Sequence, residues 1–230
     1  MDRAIRFSCW TAFAGGAISF VAILVEAFVF PGNGPSNRSA QNSGYIALNI
    51  LNAVGAILFV YGMPGLFARW RHEWGGLGTA GLALIGLVAM LFGVFLSLLT
   101  AIVLPWLAAK APDLMKDQNG PPAMFVFFLV AVACLIVGNI LMAIPILRGR
   151  VGPRWVGYLL IVSALVSIAG FFIPRGGPDS QPSLLLSLFS SLQPLLLFVA
   201  IATLGFVGAT EIGALRAGPS GTQDRGTLGV

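Results

Sequence analysis

Charged side chains are scarce in this sequence. Asp, Glu, Lys and Arg make up 9% of the 230 residues, whereas a soluble globular domain carries about 25%. This deficit excludes an ordinary water-soluble domain. The apolar residues, 57% of the chain, form long unbroken runs instead of alternating ten-residue segments, which favours helices over the strands of a membrane barrel. The sequence therefore predicts an all-α integral membrane protein.

Cysteine and histidine are also rare. Cys9 and Cys134 lie in separate apolar runs and form no C-x-x-C pair, and His72 is the one histidine. A single histidine excludes a bis-histidine haem within one chain and leaves a zinc site short of ligands. The sequence contains no glycine-rich nucleotide loop, no Ser-His-Asp set and no pair of carboxylates in one span. We therefore expect no metal, no cofactor and no catalytic residue.

Six apolar runs are predicted to span the membrane. They cover approximately residues 7–30, 45–68, 77–104, 122–147, 155–173 and 184–210. Pro105 and Trp106 are expected to end the third helix at the membrane interface. Residues 1–212 would form one transmembrane domain of six bundled helices. Residues 213–230 are polar and glycine-rich and are expected to form a flexible cytoplasmic tail.

The positions of the basic residues predict the orientation. The net charge is +5, but it does not indicate a nucleic-acid partner, because the basic residues stand beside apolar runs and form no free patch. Nine of the 13 basic residues lie with both termini and with the loops after the second and fourth runs. Cytoplasmic segments carry such an excess. Both termini are therefore predicted in the cytoplasm, in agreement with an even number of spans.

Two charged segments, which we call elbows, connect predicted helices 2 and 3 (residues 63–76) and helices 4 and 5 (residues 145–157). A shift of 81 residues without a gap places Pro64, Leu66, Arg69, Trp74 and Gly76 on Pro145, Leu147, Arg150, Trp155 and Gly157. The match predicts two helical hairpins of the same orientation, related by a pseudo-two-fold axis along the membrane normal. The alternative is convergence, because arginine and tryptophan are common at membrane interfaces.

Two predicted helices carry a stripe of small residues. In the first helix the stripe is Ser8, Ala12, Gly15, Ser19 and Ala22, and it leads to Glu26. In the third helix it is Gly76, Ala80, Ala83, Gly86, Ala89, Gly93, Ser97 and Thr100. Small side chains let membrane helices approach closely. Both stripes are therefore predicted to face the interior of the bundle.

Glu26 is the one ionisable residue well inside an apolar run, and intramembrane carboxylates are functional candidates because they are costly to bury. Other polar residues are predicted at a similar depth, near the outer face. The candidate site consists of Glu26, Asn49, Asn52, Ser97, Thr100 and Gln193. The alternative for Glu26 is a location at the outer interface, or an ion pair with Arg38, Lys110 or Arg175.

Three further polar positions receive structural interpretations. Asn139 is expected to form a hydrogen bond between helices near mid-membrane. Glu211, at the inner end of the sixth helix, is expected either to pair with Arg216 or to lie at the membrane interface. His72 and Glu73 are expected in a solvated loop.

Two segments resemble parts of known proteins. Residues 103–112 read VLPWLAAKAP and residues 152–160 read GPRWVGYLL. Both resemble pieces of small uncharacterised multi-pass bacterial membrane proteins of unknown function. The resemblance implies the bacterial cytoplasmic membrane, which is the inner membrane, and it carries over no catalytic or binding residue.

The sequence leaves three functions open. The leading hypothesis is a multi-pass inner-membrane protein that binds or translocates a small ligand or a proton through an outward-facing polar pocket. The first alternative is a structural or accessory subunit of a membrane complex. The second is a membrane-embedded enzyme acting on a lipid or isoprenoid, which needs an acid or base besides Glu26. The expected partners are the lipid bilayer, a small ligand or lipid, and a membrane-protein partner or second copy of the chain.

Overall fold

The computed structural model describes residues 2–30, 40–111, 122–149, 151–172 and 184–216. Within these ranges the chain is helical and contains no strand. Its elements are α1 (Asp2–Val29), α2 (Ser43–Val88), a π-helical stretch (Ala89–Leu96), α3 (Ser97–Lys110), α4 (Pro122–Leu147), α5 (Arg154–Phe172) and α6 (Leu184–Arg216).

Four stretches of the described chain are long and apolar enough to cross a membrane. They are Asp2–Val29, Ser43–Lys110, Phe125–Leu147 and Ser191–Glu211, and Arg154–Gly170 is a shorter apolar helix. The predicted all-helical fold is therefore confirmed for the described residues, and its long apolar helices are compatible with a membrane protein.

The chain reverses direction inside α2, at Gly75. This residue has φ 58° and ψ −165°, a backbone conformation that essentially only glycine adopts. The contacts across the reversal are nested around it: Met63 packs on Gly86, Ala56 packs on Gly93, and further out Asn52 is hydrogen-bonded to Ser97. We call residues 43–74 the first arm and residues 76–110 the second arm. The two arms form an antiparallel hairpin.

The described elements close into a ring. α1 packs between the first arm and α6, the second arm packs on α4, α4 on α5, and α5 on α6. Each pair of neighbours is antiparallel: Ala12 contacts Gly62 whereas Ser8 contacts Gly65, and Gly78 contacts Pro145 whereas Gly81 contacts Met142. Every element in the ring therefore has two neighbours of opposite direction.

From Ala12 to Ala22 the stripe of small residues in α1 is buried, as predicted, and it lies against the first arm. Gly15 touches the backbone of Gly55 and Phe59, and Ser19 also packs on Gly55. Ala22, at the end of the stripe nearest Glu26, is 1% exposed. The absence of larger side chains lets the two backbones come into direct contact.

The second stripe is only partly confirmed. Gly86, Gly93, Ser97 and Thr100 are buried, but Gly76, Ala80 and Ala83 are exposed. The prediction fails there because the second arm turns another face, which includes Gly78 and Gly81, towards α4. The π-helical stretch Ala89–Leu96 follows this segment, and its wider turns change which residues share a face.

Several helices extend beyond their predicted ends. The first arm continues past residue 68 to Trp74, so most of the first elbow is helical. Pro105 does not end the third predicted helix, because α3 runs through it to Lys110. A proline removes one backbone hydrogen bond, and long membrane helices tolerate this loss. α6 continues to Arg216, and residues 217–230 of the predicted tail lie outside the described residues.

The second elbow is built differently from the first. α4 ends at Leu147, and Gly149 follows with φ 69° while its N–H donates to the Ile146 carbonyl at 2.9 Å. A left-handed glycine at this place is a common helix terminator. The gapless 81-residue shift aligns Gly75, where the first hairpin turns, with Val156, which lies buried within α5. The two chain reversals therefore do not coincide under that shift.

Candidate functional site

A polar cluster joins α1 and the two arms at the end of the hairpin remote from Gly75. The Asn52 side-chain amide donates to the Ser97 hydroxyl at 2.9 Å, across the hairpin. The Ser19 hydroxyl of α1 donates to the Asn52 backbone carbonyl at 3.4 Å. Asn52 and Ser97, two of the predicted site residues, are thus in direct contact, and Ser19 is a third member that the sequence placed only in the packing stripe. We call these three residues the Asn52 cluster.

The π-helical stretch positions Ser97. The hydroxyl of Ser97 donates to the carbonyl of Phe92, five residues earlier, at 3.4 Å. This spacing is that of a π-helical turn, and such turns occur frequently at functional sites. Thr100, another predicted site residue, lies one turn further along the second arm and is 9% exposed.

The Asn52 cluster contains an unfilled hydrogen-bond acceptor. Because the hydrogen of Ser97 is used on Phe92, Ser97 can only accept from the Asn52 amide nitrogen. The side-chain oxygen Oδ1 of Asn52 is buried and has no partner among the described residues. Leaving such a group unpaired costs about 1–3 kcal/mol. A donor from a ligand or a cation would relieve this cost.

Glu26 belongs to α1, and its neighbour on the first arm is Tyr45, not Asn52. The Glu26 carboxylate is near enough to Tyr45 for electrostatic interaction. Asn49, 7% exposed, donates its side-chain amide to the Tyr45 carbonyl at 3.0 Å, and the rings of Tyr45 and Phe30 meet edge to face at 5.4 Å. Tyr45 is a neighbour that sequence reasoning missed, because a single tyrosine at a helix start is usual at a membrane interface.

No ion pair is formed by Glu26 within the described ranges. Of its three predicted partners, Lys110 is described and makes no such pair, and Arg38 and Arg175 lie outside the described residues. Glu26 is only partly buried. It therefore stands at the rim of the polar region, with Asn49 between it and the Asn52 cluster along the first arm.

Gln193 belongs to a second polar cluster, on α4, α5 and α6. Asn139 is 0% exposed and donates its side-chain amide to the Ser163 hydroxyl at 3.2 Å. Ser163 in turn donates to the backbone carbonyl of Gln193 at 3.0 Å. The prediction that Asn139 bonds across helices is confirmed. The hydrogen bond from Ser163 uses the backbone carbonyl of Gln193. It links Gln193 to Ser163 and not to Glu26.

At the opposite end of the hairpin, Arg69 and Glu211 form an ion pair at 2.7 Å. Packing of α1 between the first arm and α6 brings the end of α6 close to Arg69, so Glu211 has a partner that the sequence does not predict. The side chain of Arg216, the partner that the sequence predicts, lies outside the described residues. Glu73 was expected in a solvated loop, but it lies in the helix, and its Oε2 atom is buried without a partner among the described residues. His72 is exposed and accepts a hydrogen bond from Arg71 Nε at 3.1 Å.

The chemistry available near Glu26 is binding and proton exchange. Hydroxyl and amide groups with one carboxylate can bind a cation or a hydrogen-bonding ligand. In the described part of the chain no cluster of three His, Cys, Asp or Glu side chains could hold a metal ion. Comparisons with protein-family models, curated proteins and solved structures find no match to this chain.

Proposed function

We propose that this protein binds a small cationic or hydrogen-bonding ligand, or carries a proton, at the polar region formed by Glu26, Asn49, the Asn52 cluster and Thr100. The unpartnered, buried Oδ1 atom of Asn52 is the observation that carries the proposal. A site for a ligand needs polar groups that the protein itself leaves unsatisfied.

We further propose six membrane crossings with both termini in the cytoplasm of a bacterial cell. The reversal at Gly75 supports this count, because each arm is longer than the roughly 20 residues that a crossing needs. α5, with 19 residues, is just long enough for one crossing. In this arrangement the Asn52 cluster and Glu26 lie near the outer face and the Arg69–Glu211 pair near the inner face.

The internal duplication also remains a proposal, and the gapless match of the two elbows supports it. An asparagine amide donates to a serine hydroxyl of the paired helix both at Asn52–Ser97 and at Asn139–Ser163. These two pairs do not correspond under the shift of 81 residues, which aligns Asn52 with Ala133, so they do not add to the support for duplication.

Glu26→Gln tests the function with the full chain in proteoliposomes. Two readouts are proton flux, followed with an enclosed pH-sensitive dye, and binding of the lipophilic cation tetraphenylphosphonium. We expect Glu26→Gln and Asn52→Leu to reduce flux or cation binding at least tenfold, because the first removes the negative charge and the second removes the open acceptor. Glu211→Gln is the matched control, since it removes a carboxylate that is already paired with Arg69.

The control variant should lose thermal stability but keep the wild-type flux and binding. If Glu26→Gln and Asn52→Leu both leave proton flux and cation binding at the wild-type level, the proposal is wrong. A stable heteromeric complex after mild detergent extraction would then favour the accessory-subunit alternative. The direct glycine contacts between helices favour that role, because they build a closely packed and rigid bundle.

A further inference from the structure

An open groove lies on the exposed surface of the hairpin, beside the chain reversal at Gly75. It is lined by Phe67, Arg71, His72, Gly75, Gly76, Thr79, Ala80 and Ala83, and its volume is about 840 Å³. The groove lies away from the Asn52 cluster, and no residue of the proposed ligand site lines it.

The floor of the groove is formed by the small residues that the sequence analysis assigned to the bundle interior. Gly76, Ala80 and Ala83 are exposed. No atom of the described chain lies within 4 Å of the place that a Cβ atom would take on Gly76. From Gly76 to Ala83 the floor extends along the helix for about 10 Å. Phe67, 40% exposed, adds an apolar side chain from the first arm.

The end of the groove at the chain reversal is basic. Arg71 and His72 are both exposed, and Arg71 uses its Nε atom to bond His72 Nε2, so that its two terminal nitrogens remain for another partner. The acidic side chain nearest in sequence, Glu73, does not line the groove and has one oxygen buried elsewhere. The groove therefore combines a positive end at the level of the helix ends with an apolar floor along the helix.

From this combination we infer that the groove binds an anionic phospholipid. The phosphate group would lie against Arg71 and His72, and an acyl chain would lie on Gly76, Ala80 and Ala83. Charge complementarity favours this occupant over a neutral lipid, because a juxtamembrane arginine attracts anionic headgroups by about 1 kcal/mol. An apolar helix from another protein would leave Arg71 without a partner of opposite charge.

Native mass spectrometry of the full chain, titrated with phosphatidylglycerol or with phosphatidylcholine of the same acyl chains, tests this inference. We expect tighter binding of phosphatidylglycerol. Arg71→Gln should weaken it about fivefold without changing phosphatidylcholine binding. Ala80→Phe, or Ala83→Phe if the first variant is poorly folded, should fill the floor and abolish bound phosphatidylglycerol.

Two matched variants control for charge and for size. Arg148→Gln removes another exposed arginine beside a chain reversal, and Ala169→Phe enlarges another exposed alanine, but neither residue lines the groove. Both should bind phosphatidylglycerol as the wild type does. Equal binding of the two lipids, or a preference that survives Arg71→Gln and Ala80→Phe together, would overturn the inference.

Two further measurements identify other occupants of the groove. Soluble glycerol phosphate in excess should fail to displace the lipid. Complete displacement would mean that the site recognises a free anion, against the inference. An Ala80→Cys variant that forms a disulfide-linked dimer in membranes would mean that a second copy occupies the groove, which also overturns it. None of these readouts depends on Glu26 or on ligand transport.

Discussion

The Ser8 side chain bridges two backbone groups of the first arm beside Pro64, where the helical hydrogen bonds are interrupted. The Gly65 N–H donates to the Ser8 hydroxyl at 3.0 Å, and the Ser8 hydroxyl donates to the Tyr61 carbonyl at 3.0 Å. In an uninterrupted helix Gly65 would donate to Tyr61 directly, so the Ser8 oxygen stands in the gap of the helical ladder. A side chain of α1 thus supplies backbone hydrogen bonds that lipid could not.

Ser8→Ala should lower the free energy of unfolding by about 1–3 kcal/mol, because it leaves the Gly65 N–H and the Tyr61 carbonyl unpaired. The midpoint of thermal unfolding in detergent measures the effect. Thr11→Ala is the control, since the Thr11 hydroxyl bonds only to the Ser8 carbonyl of its own helix. A Ser8→Ala midpoint equal to that of Thr11→Ala would contradict this role.

The sequence predicts the neighbours of a single residue correctly where the depth of that residue along its helix is enough to determine them. Asn52 and Ser97 were assigned to one site because both stand near the outer ends of their helices, and they are hydrogen-bonded. Depth does not reveal which helices are adjacent. For this reason the sequence predicts Gln193 beside Glu26 although it contacts Ser163, and it does not predict the pair of Glu211 with Arg69.

At the scale of elements, the break at Gly75 shapes the first hairpin. Gly75 and Gly76 both have open space where a Cβ atom would stand, but only Gly75 has a positive φ. The conformation of Gly75 is stabilised locally by the Thr79 hydroxyl, which donates to its carbonyl at 2.9 Å. Substitutions at these two adjacent glycines therefore distinguish the effect of backbone conformation from the effect of the space available for a side chain.

Gly75→Ala should lower the free energy of unfolding by about 1–3 kcal/mol, because alanine is strained at this φ and ψ. Gly76→Ala should be neutral or slightly stabilising, because the position is helical and free of contacts. Chemical denaturation of the two variants in parallel gives the comparison. Equal stabilities would argue against a strained turn at Gly75.

Apolar runs indicated the elements, but the packing between them was less predictable. The run at residues 122–147 coincides with α4 because a long apolar segment must satisfy its own backbone as a helix. The π-helical stretch Ala89–Leu96 has no such sequence signal. The sequence does not predict this stretch. Ala80 and Ala83 precede it, and they are exposed because the second arm turns Gly78 and Gly81 towards α4.

At the scale of the molecule, the reversal at Gly75 and the antiparallel ring determine a topology that labelling can test. In a background of Cys9→Ala and Cys134→Ala, single cysteines are placed at Gln41, His72, Lys110 and Arg148, all of which are exposed. In intact spheroplasts, a membrane-impermeant maleimide should label positions 41 and 110 but not 72 and 148. Permeabilised cells, in which all four should react, serve as the control.

Labelling of position 72 from outside together with position 41 would contradict six crossings, because both ends of the first arm would then lie on one face. The inverse pattern, with 72 and 148 labelled and 41 and 110 protected, would preserve the hairpin but reverse the orientation. The orientation rests on the distribution of arginine and lysine, which is a statistical property of membrane proteins.

The closed ring also imposes an order of assembly. Most of its contacts join elements that follow one another along the chain, and such local pairs form early because little chain entropy is lost. The contact of α1 with α6 is different, since α6 leaves the ribosome last of these elements. Until then the face of α1 that holds Cys9 and Gly16 has no protein cover. Of these elements, α1 is therefore made first and is among the last to finish packing.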